Sequence, residues 1–179
     1  MMVFTHLMVS LLLYEWFPVA GAGIPVLTAL ITGSLFPDLD MKRRHRRDLH
    51  YPVIYPVLTA FSFLAGNAVA KAFFLAASAH CLMDILGNDV DVYTGEGRED
   101  SEKGAVFNHL TQKWIDGRYL VKIDGGARDL GMLASLVLLH LLYAEPPLVY
   151  LGPAAFALGA VYNLIREDVE RIFPDILLR

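Results

Sequence analysis

Cysteine is nearly missing from this chain of 179 residues, with Cys81 standing alone. No intrachain disulfide can form, and Cys81 reads as a small packing residue. A thiolate metal site is disfavoured, so a metal would be held by carboxylates and imidazoles. Charge is scarce as well: 19% of the residues are Asp, Glu, Lys or Arg, against about 25% in an average soluble domain. It is missing altogether from Val19 to Phe36, Leu49 to Ala70, Leu130 to Ala144 and Pro146 to Ile165. The chain also lacks the basic leader and small-residue cleavage site of a secretory signal, so it is expected to be retained from Met1 onward. Internal repeats and low-complexity tracts are absent, and Asp89 and Asp91 lack EF-hand spacing and read as a solvated turn.

What fills the chain instead is apolar: 55% of residues are hydrophobic and the mean hydropathy is +0.45. Several of the uncharged stretches approach the roughly 20 residues that cross a hydrocarbon layer as helix. The expectation is an all-α, multi-pass transmembrane helical bundle of five or six spans forming one membrane-embedded domain. The spans would be Met1 to Phe17, Val19 to Phe36, Tyr51 to Gly66 with Pro56 as a kink, Ala68 to Leu86, Leu130 to Ala144 and Pro147 to Ile165. The first is the doubtful one, being short and containing Glu15. From Gly87 to Asp129 the composition turns polar and Gly-rich, a water-facing insert in which Asn108 to Ile115 is expected as a short amphipathic helix and Tyr119 to Ile123 as a strand. Arg166 to Arg179 would be an amphipathic, charged tail.

Against this background the stretch Gly33 to His50, GSLFPDLDMKRRHRRDLH, stands out. It sets down Asp38, Asp40, His45 and His50 after Pro37, which cannot continue the helix hydrogen bonding before it. The cations Lys42, Arg43, Arg44, Arg46 and Arg47 between them are most simply a topology signal that holds this loop on the cytoplasmic side. Six alternating spans would then bring His6, Asp38, Asp40, His45, His50, His80 and Asp84 to that same face.

His80 and Asp84 lie four residues apart in a helical stretch, so both project from one face about a turn apart. Two ligands of one ion would have that spacing; so would a polar pair locking two helices. Ionisable groups within membrane helices are costly and mark function or pairing. His109 in the insert reads as a surface imidazole and His140 as a core histidine sharing a hydrogen bond.

Taken together, Thr5-His6, GSLFPDLD at Gly33 to Asp40, HRRDLH at His45 to His50 and HCLMD at His80 to Asp84 resemble the YdjM-type family of LexA-regulated, membrane-bound, predicted metal-dependent hydrolases. The resemblance spans most of the chain. It departs from the family where Arg47 replaces a Gly and where Leu49 and Tyr51 flank His50 in place of hydroxyl residues, leaving Asp48 as a weak substitute carboxylate. What the resemblance implies is a metal-dependent hydrolase. One or two divalent ions, zinc or else manganese or iron, would be held by His6, Asp38, Asp40, His45, His50, His80 and Asp84. Metal-activated water would attack an ester or phosphoester, with a membrane lipid as the fitting substrate and no nucleic acid as partner. Two rivals remain: a cation transporter, and a protein whose metal only ties helix ends together.

Overall fold

A computed structural model describes residues 3–16, 23–42, 47–87, 106–115, 127–144, 146 and 148–172. The fold is mostly helical. Helices α1 (Val3–Trp16), α2 (Ile24–Leu35), α3 (Ile54–Leu64), α4 (Ala68–Gly87), α5 (Ala127–Tyr143) and α6 (Leu151–Ile172) are joined by 3-10 turns at Pro37–Lys42 and Leu148–Tyr150. Strands β1 (Val106–Asn108) and β2 (Lys113–Ile115) form an antiparallel hairpin, with Phe107 opposite Trp114.

α4 is the central rod, packed against α2 through Val26, Ala29, Leu30, Ala72 and Ala76 and against α3 through Tyr55, Ala77 and Cys81. A second apolar core joins α1, α5 and α6 through Met8, Leu11, Leu133, Val137 and Ala155. α2 and α4 approach closely at Gly33, where a Cβ would stand 2.2 Å from the Phe73 carbonyl oxygen. Any side chain there would force the helices apart, and the Ser34 backbone would leave its place beside α4. The turn from α3 into α4 depends on Gly66, whose φ of +65° is open to glycine at little cost. Asn67 N–H bonds back to the Ser62 carbonyl at 3.0 Å, a Schellman closure that reverses the chain in two residues.

The distribution of polarity is inverted relative to a water-soluble bundle. Thr5, His6, Ser10, Ser34, Asp40, His50, His80, Asp84, Asp129 and His140 are buried, whereas Phe61, Phe63, Leu64, Leu142 and Leu164 are exposed. Two stretches, Ala68–Leu86 and Leu148–Ile165, are long and apolar enough to cross a membrane.

Several expectations need correction. α2 has 12 residues and α3 has 11, giving about 18 Å at 1.5 Å per residue against a hydrocarbon core near 30 Å. The uncharged stretches were longer than the helices they form, because Gly23-Ile24-Pro25 and Tyr51 to Val53 are spent on starting them. Pro56 makes no mid-helix kink. It falls in the first turn of α3, where a backbone N–H has no helical partner to lose. The amphipathic helix expected over Asn108 to Ile115 is part of the β-hairpin instead. The Asn108 side chain accepts the N–H groups of Leu110 and Thr111, and Gln112 takes a φ of 54°, which turns the chain back before a helix can start. α6 runs on to Ile172, so the charged tail begins inside a helix. The strand expected over Tyr119 to Ile123 lies outside the described residues.

Candidate metal centre

Five separate pieces of chain deliver the site. α1 supplies His6, the 3-10 turn supplies Asp38 and Asp40, the segment Arg47–Tyr51 supplies His50, the end of α2 supplies the Ser34 carbonyl, and α4 supplies His80 and Asp84. One ligand atom each from Asp38, His50, His80 and Asp84 falls within 4.8 Å of every other, a group that could hold a metal ion.

The turn after Pro37 explains why its two aspartates part company. A 3-10 helix has about three residues per turn, so side chains two apart point roughly 240° from one another. Asp38 accordingly faces α4, with its Oδ1 3.3 Å from His80 Nε2. Asp40 is buried on another side and reaches the far nitrogen of His50, with Oδ2 3.0 Å from Nδ1, while accepting the Leu49 N–H at 3.1 Å.

His80 and Asp84 share a face of α4, as their spacing requires. His80 Nε2 is 3.4 Å from Asp84 Oδ2, and His50 Nε2 is 3.3 Å from the same oxygen. Behind His80, Nδ1 donates to the Ser34 carbonyl at 2.7 Å. A carbonyl can only accept, so in a neutral ring the lone pair sits on Nε2 and points among the carboxylates. The Asp40 carboxylate imposes the same tautomer on His50. Each imidazole is thus oriented from behind by an oxygen, the arrangement seen around metal-bound histidines.

The distances themselves discriminate. Charge-assisted N–H···O bonds cluster near 2.7–2.9 Å. Donors arranged tetrahedrally on an ion with bonds of about 2.0–2.1 Å stand roughly 3.3–3.4 Å apart. The three contacts of 3.3, 3.3 and 3.4 Å match the second spacing. Lone pairs facing carboxylates at that range repel unless positive charge lies between them, and either a cation or an added proton supplies it.

His6 stands beside this group. Its ring stacks on His80 with centroids 3.9 Å apart and planes at 17°, and its Nε2 is 3.5 Å from Asp84 Oδ1. Asp84 therefore turns one oxygen toward His6 and the other toward His50 and His80. Nδ1 of His6 is buried without a hydrogen-bond partner among the described residues.

Burial works against an ionised Asp38, but the His80 ring outweighs it and holds the carboxyl below the ordinary range. Burial likewise opposes charge on His50; Asp40 and Asp84 outweigh it, and the pKa stands above the usual histidine value.

Of the seven residues singled out in the sequence, four converge, His6 adjoins them, Asp40 stands behind His50, and His45 lies outside the described residues. Among the described residues no hydrogen bond or ion pair joins Asp48 to the group. Two supports escaped the sequence reading. The Ser34 carbonyl is backbone and has no side-chain signature. Tyr55, whose hydroxyl donates to the Leu49 carbonyl at 2.5 Å, looked like an ordinary aromatic in an apolar run. No family model, curated protein or solved structure matches this chain.

Proposed function

We propose that the protein is an integral membrane, metal-dependent hydrolase of the YdjM type, with a divalent metal centre at one face of a multi-pass bundle. The observation that carries this reading is the set of donor separations around Asp84 Oδ2, too long for charge-assisted hydrogen bonds and suited to an ion. Zinc fits the two-imidazole, two-carboxylate set, with manganese or iron as alternatives.

Membrane residence is supported by the two long apolar stretches and by the outward-facing Phe and Leu side chains over a polar interior. The shorter helices would complete the embedded bundle by packing on α4. The cytoplasmic side is the proposed location of the site, because the basic segment between Asp40 and His50 belongs on that side.

Asp38, His50, His80 and Asp84 would hold the ion, Asp40 and the Ser34 carbonyl fixing the two rings. A second ion would be shared through Asp84 with His6 as its imidazole. Such ions supply Lewis acidity for hydrolysis of an ester or phosphoester. Asp38, with a side chain 15% exposed, is the most accessible of the four donors and marks where a substrate would enter. A headgroup of a membrane lipid would reach it from the interface.

One observation favours a second reading. Four protein donors saturate a tetrahedral ion, as in structural sites, whereas catalytic sites keep a position open. The non-catalytic alternative therefore has the metal only tying α4 to the Asp38 turn and the His50 segment.

Elemental analysis of the purified protein, with Asp38→Ala and His80→Ala, tests the centre: full metal content in both variants would dispose of it. Assays of phosphomonoester, phosphodiester and carboxylester substrates, with and without chelator, then separate enzyme from tie. Chelator-sensitive turnover is expected, and none on any class would leave the structural reading standing. Labelling of a cysteine placed at Gly97 from the exterior would overturn the orientation.

A further inference from the structure

The β-hairpin of the polar insert takes no part in the donor set, yet it lies against the segment that carries His50. Val106 and Phe107 of β1 are buried. His109, just past β1, directs Nε2 at the Arg47 carbonyl, and its ring lies 4.5 Å from that of Tyr51. Because a carbonyl accepts only, His109 is the donor. Phe107 packs edge-on to His109 at 5.1 Å and receives the Arg47 guanidinium over its face at 4.5 Å. The hairpin thus grips both ends of a five-residue segment, Arg47 and Tyr51, with His50 inside it.

The other side of that segment is held by α3 and the 3-10 turn. The Tyr55 hydroxyl binds the Leu49 carbonyl, the Tyr55 ring meets Tyr51 at 5.5 Å, and Asp40 binds Leu49 N–H and His50 Nδ1. Arg47–Tyr51 has no helix or strand of its own to fix it. A ligating ring must nonetheless be held within about 0.5 Å of its working position, which requires supports on more than one side.

We propose that the β1–β2 hairpin is a clamp on the His50 segment and that His109 is a positioning residue for His50, setting the approach of its Nε2 to the metal through the Arg47 carbonyl and the Tyr51 ring. The proposal rests on the metal-centre reading. It gives the insert a task in the site, and it corrects the expectation that His109 is merely a surface imidazole, since the ring is half-buried between two aromatic side chains and a backbone oxygen.

The test uses the full chain in detergent and Co²⁺ as the probe, whose visible absorption reports ligand geometry. Wild type, His109→Ala, His109→Gln, His50→Ala and the His109→Ala/His50→Ala double variant are titrated, and thermal unfolding is followed in parallel. His109→Ala is expected to weaken Co²⁺ binding on the order of tenfold to a hundredfold, the range for loss of a residue supporting a ligand, and to alter the absorption spectrum. His109→Gln, which keeps an N–H donor, recovers most of the affinity. In the His50→Ala background, His109→Ala adds little, because the ring it positions is gone. An unchanged Co²⁺ spectrum and affinity in His109→Ala, even with a lowered melting temperature, overturns the clamp while leaving the metal centre intact. An equally large loss in the His50→Ala background overturns it too. Failure of the wild type to bind Co²⁺ overturns the metal reading itself, and the clamp with it.

Discussion

Helix α1 carries an ionisable residue toward each end, and the two meet buried histidines in contrasting ways. At its start His6 joins the cluster of His50, His80 and Asp84; nine residues on, about 14 Å along the axis, Glu15 meets His140. His140 Nδ1 stands 2.6 Å from Glu15 Oε1, and Nε2 is 3.0 Å from the Leu148 carbonyl. Gly152 admits the ring, since a Cβ there would come within 2.4 Å of its Cδ2. Both nitrogens of His140 are closed off by oxygens at distances that a proton bridges, so the pair is complete as it stands and fastens α1 to the α5–α6 corner. His80 is closed on one nitrogen only. Its other nitrogen faces carboxylates from two elements at 3.3 and 3.4 Å, spacings that a proton bridges poorly and a metal ion bridges well. The residue types are the same; the separation between donors divides a lock from a site.

Substitutions at the two ends should therefore separate cleanly. The largest effect is expected for Asp84→Ala, which removes the oxygen shared by His50 and His80 and should bring the metal content of the purified protein down to background. Glu15→Ala should leave metal content unchanged yet destabilise the fold by about 3–5 kcal/mol, the cost of stranding one member of a buried pair; Glu15→Gln should cost less. Denaturant or thermal unfolding beside elemental analysis reads both. If Glu15→Ala strips the metal, the two ends are not independent and the comparison fails.

A smaller effect sharpens the metal end. Asp40→Asn keeps the size of the side chain behind His50 but removes its charge, and metal affinity should fall on the order of tenfold to a hundredfold without loss of stoichiometry at saturation. Loss of a whole equivalent would instead make Asp40 a ligand. Smallest is the pH response. Because Asp40 and Asp84 hold the His50 pKa above its usual value, an incoming metal must displace a proton from that ring. Affinity should therefore rise with pH, by up to about tenfold per unit for each proton displaced, and level off above the His50 pKa. Calorimetric titrations in buffers of different ionisation enthalpy would count the protons; none released at neutral pH would contradict a protonated His50 in the metal-free protein.

The donor set was legible early because it is written in side chains: PDLD, the histidines after it, and a His and an Asp one helical turn apart. The division of labour within it was not. Asp38 and Asp40 look equivalent in the sequence, and only the threefold winding of the 3-10 turn sends one to His80 and the other behind His50. His140 and His80 look equally buried in apolar runs, and nothing nearby in the sequence tells that Glu15 closes one of them. The hairpin at Val106 to Ile115 was misread as a helix because its amphipathic pattern is short, and a side-chain hydrogen bond at Asn108 decides a segment of that length.

By itself the sequence determined the helical, apolar character of the chain and the kinds of donor available, since hydropathy and residue chemistry are local properties. Tertiary structure decided which donors share an oxygen, which carbonyl fixes which ring, and how far apart they stand. Those depend on the close approach of α2 to α4 at Gly33 and on the turn after Pro37, and a difference of less than 1 Å between facing atoms separates a bound proton from a metal ion.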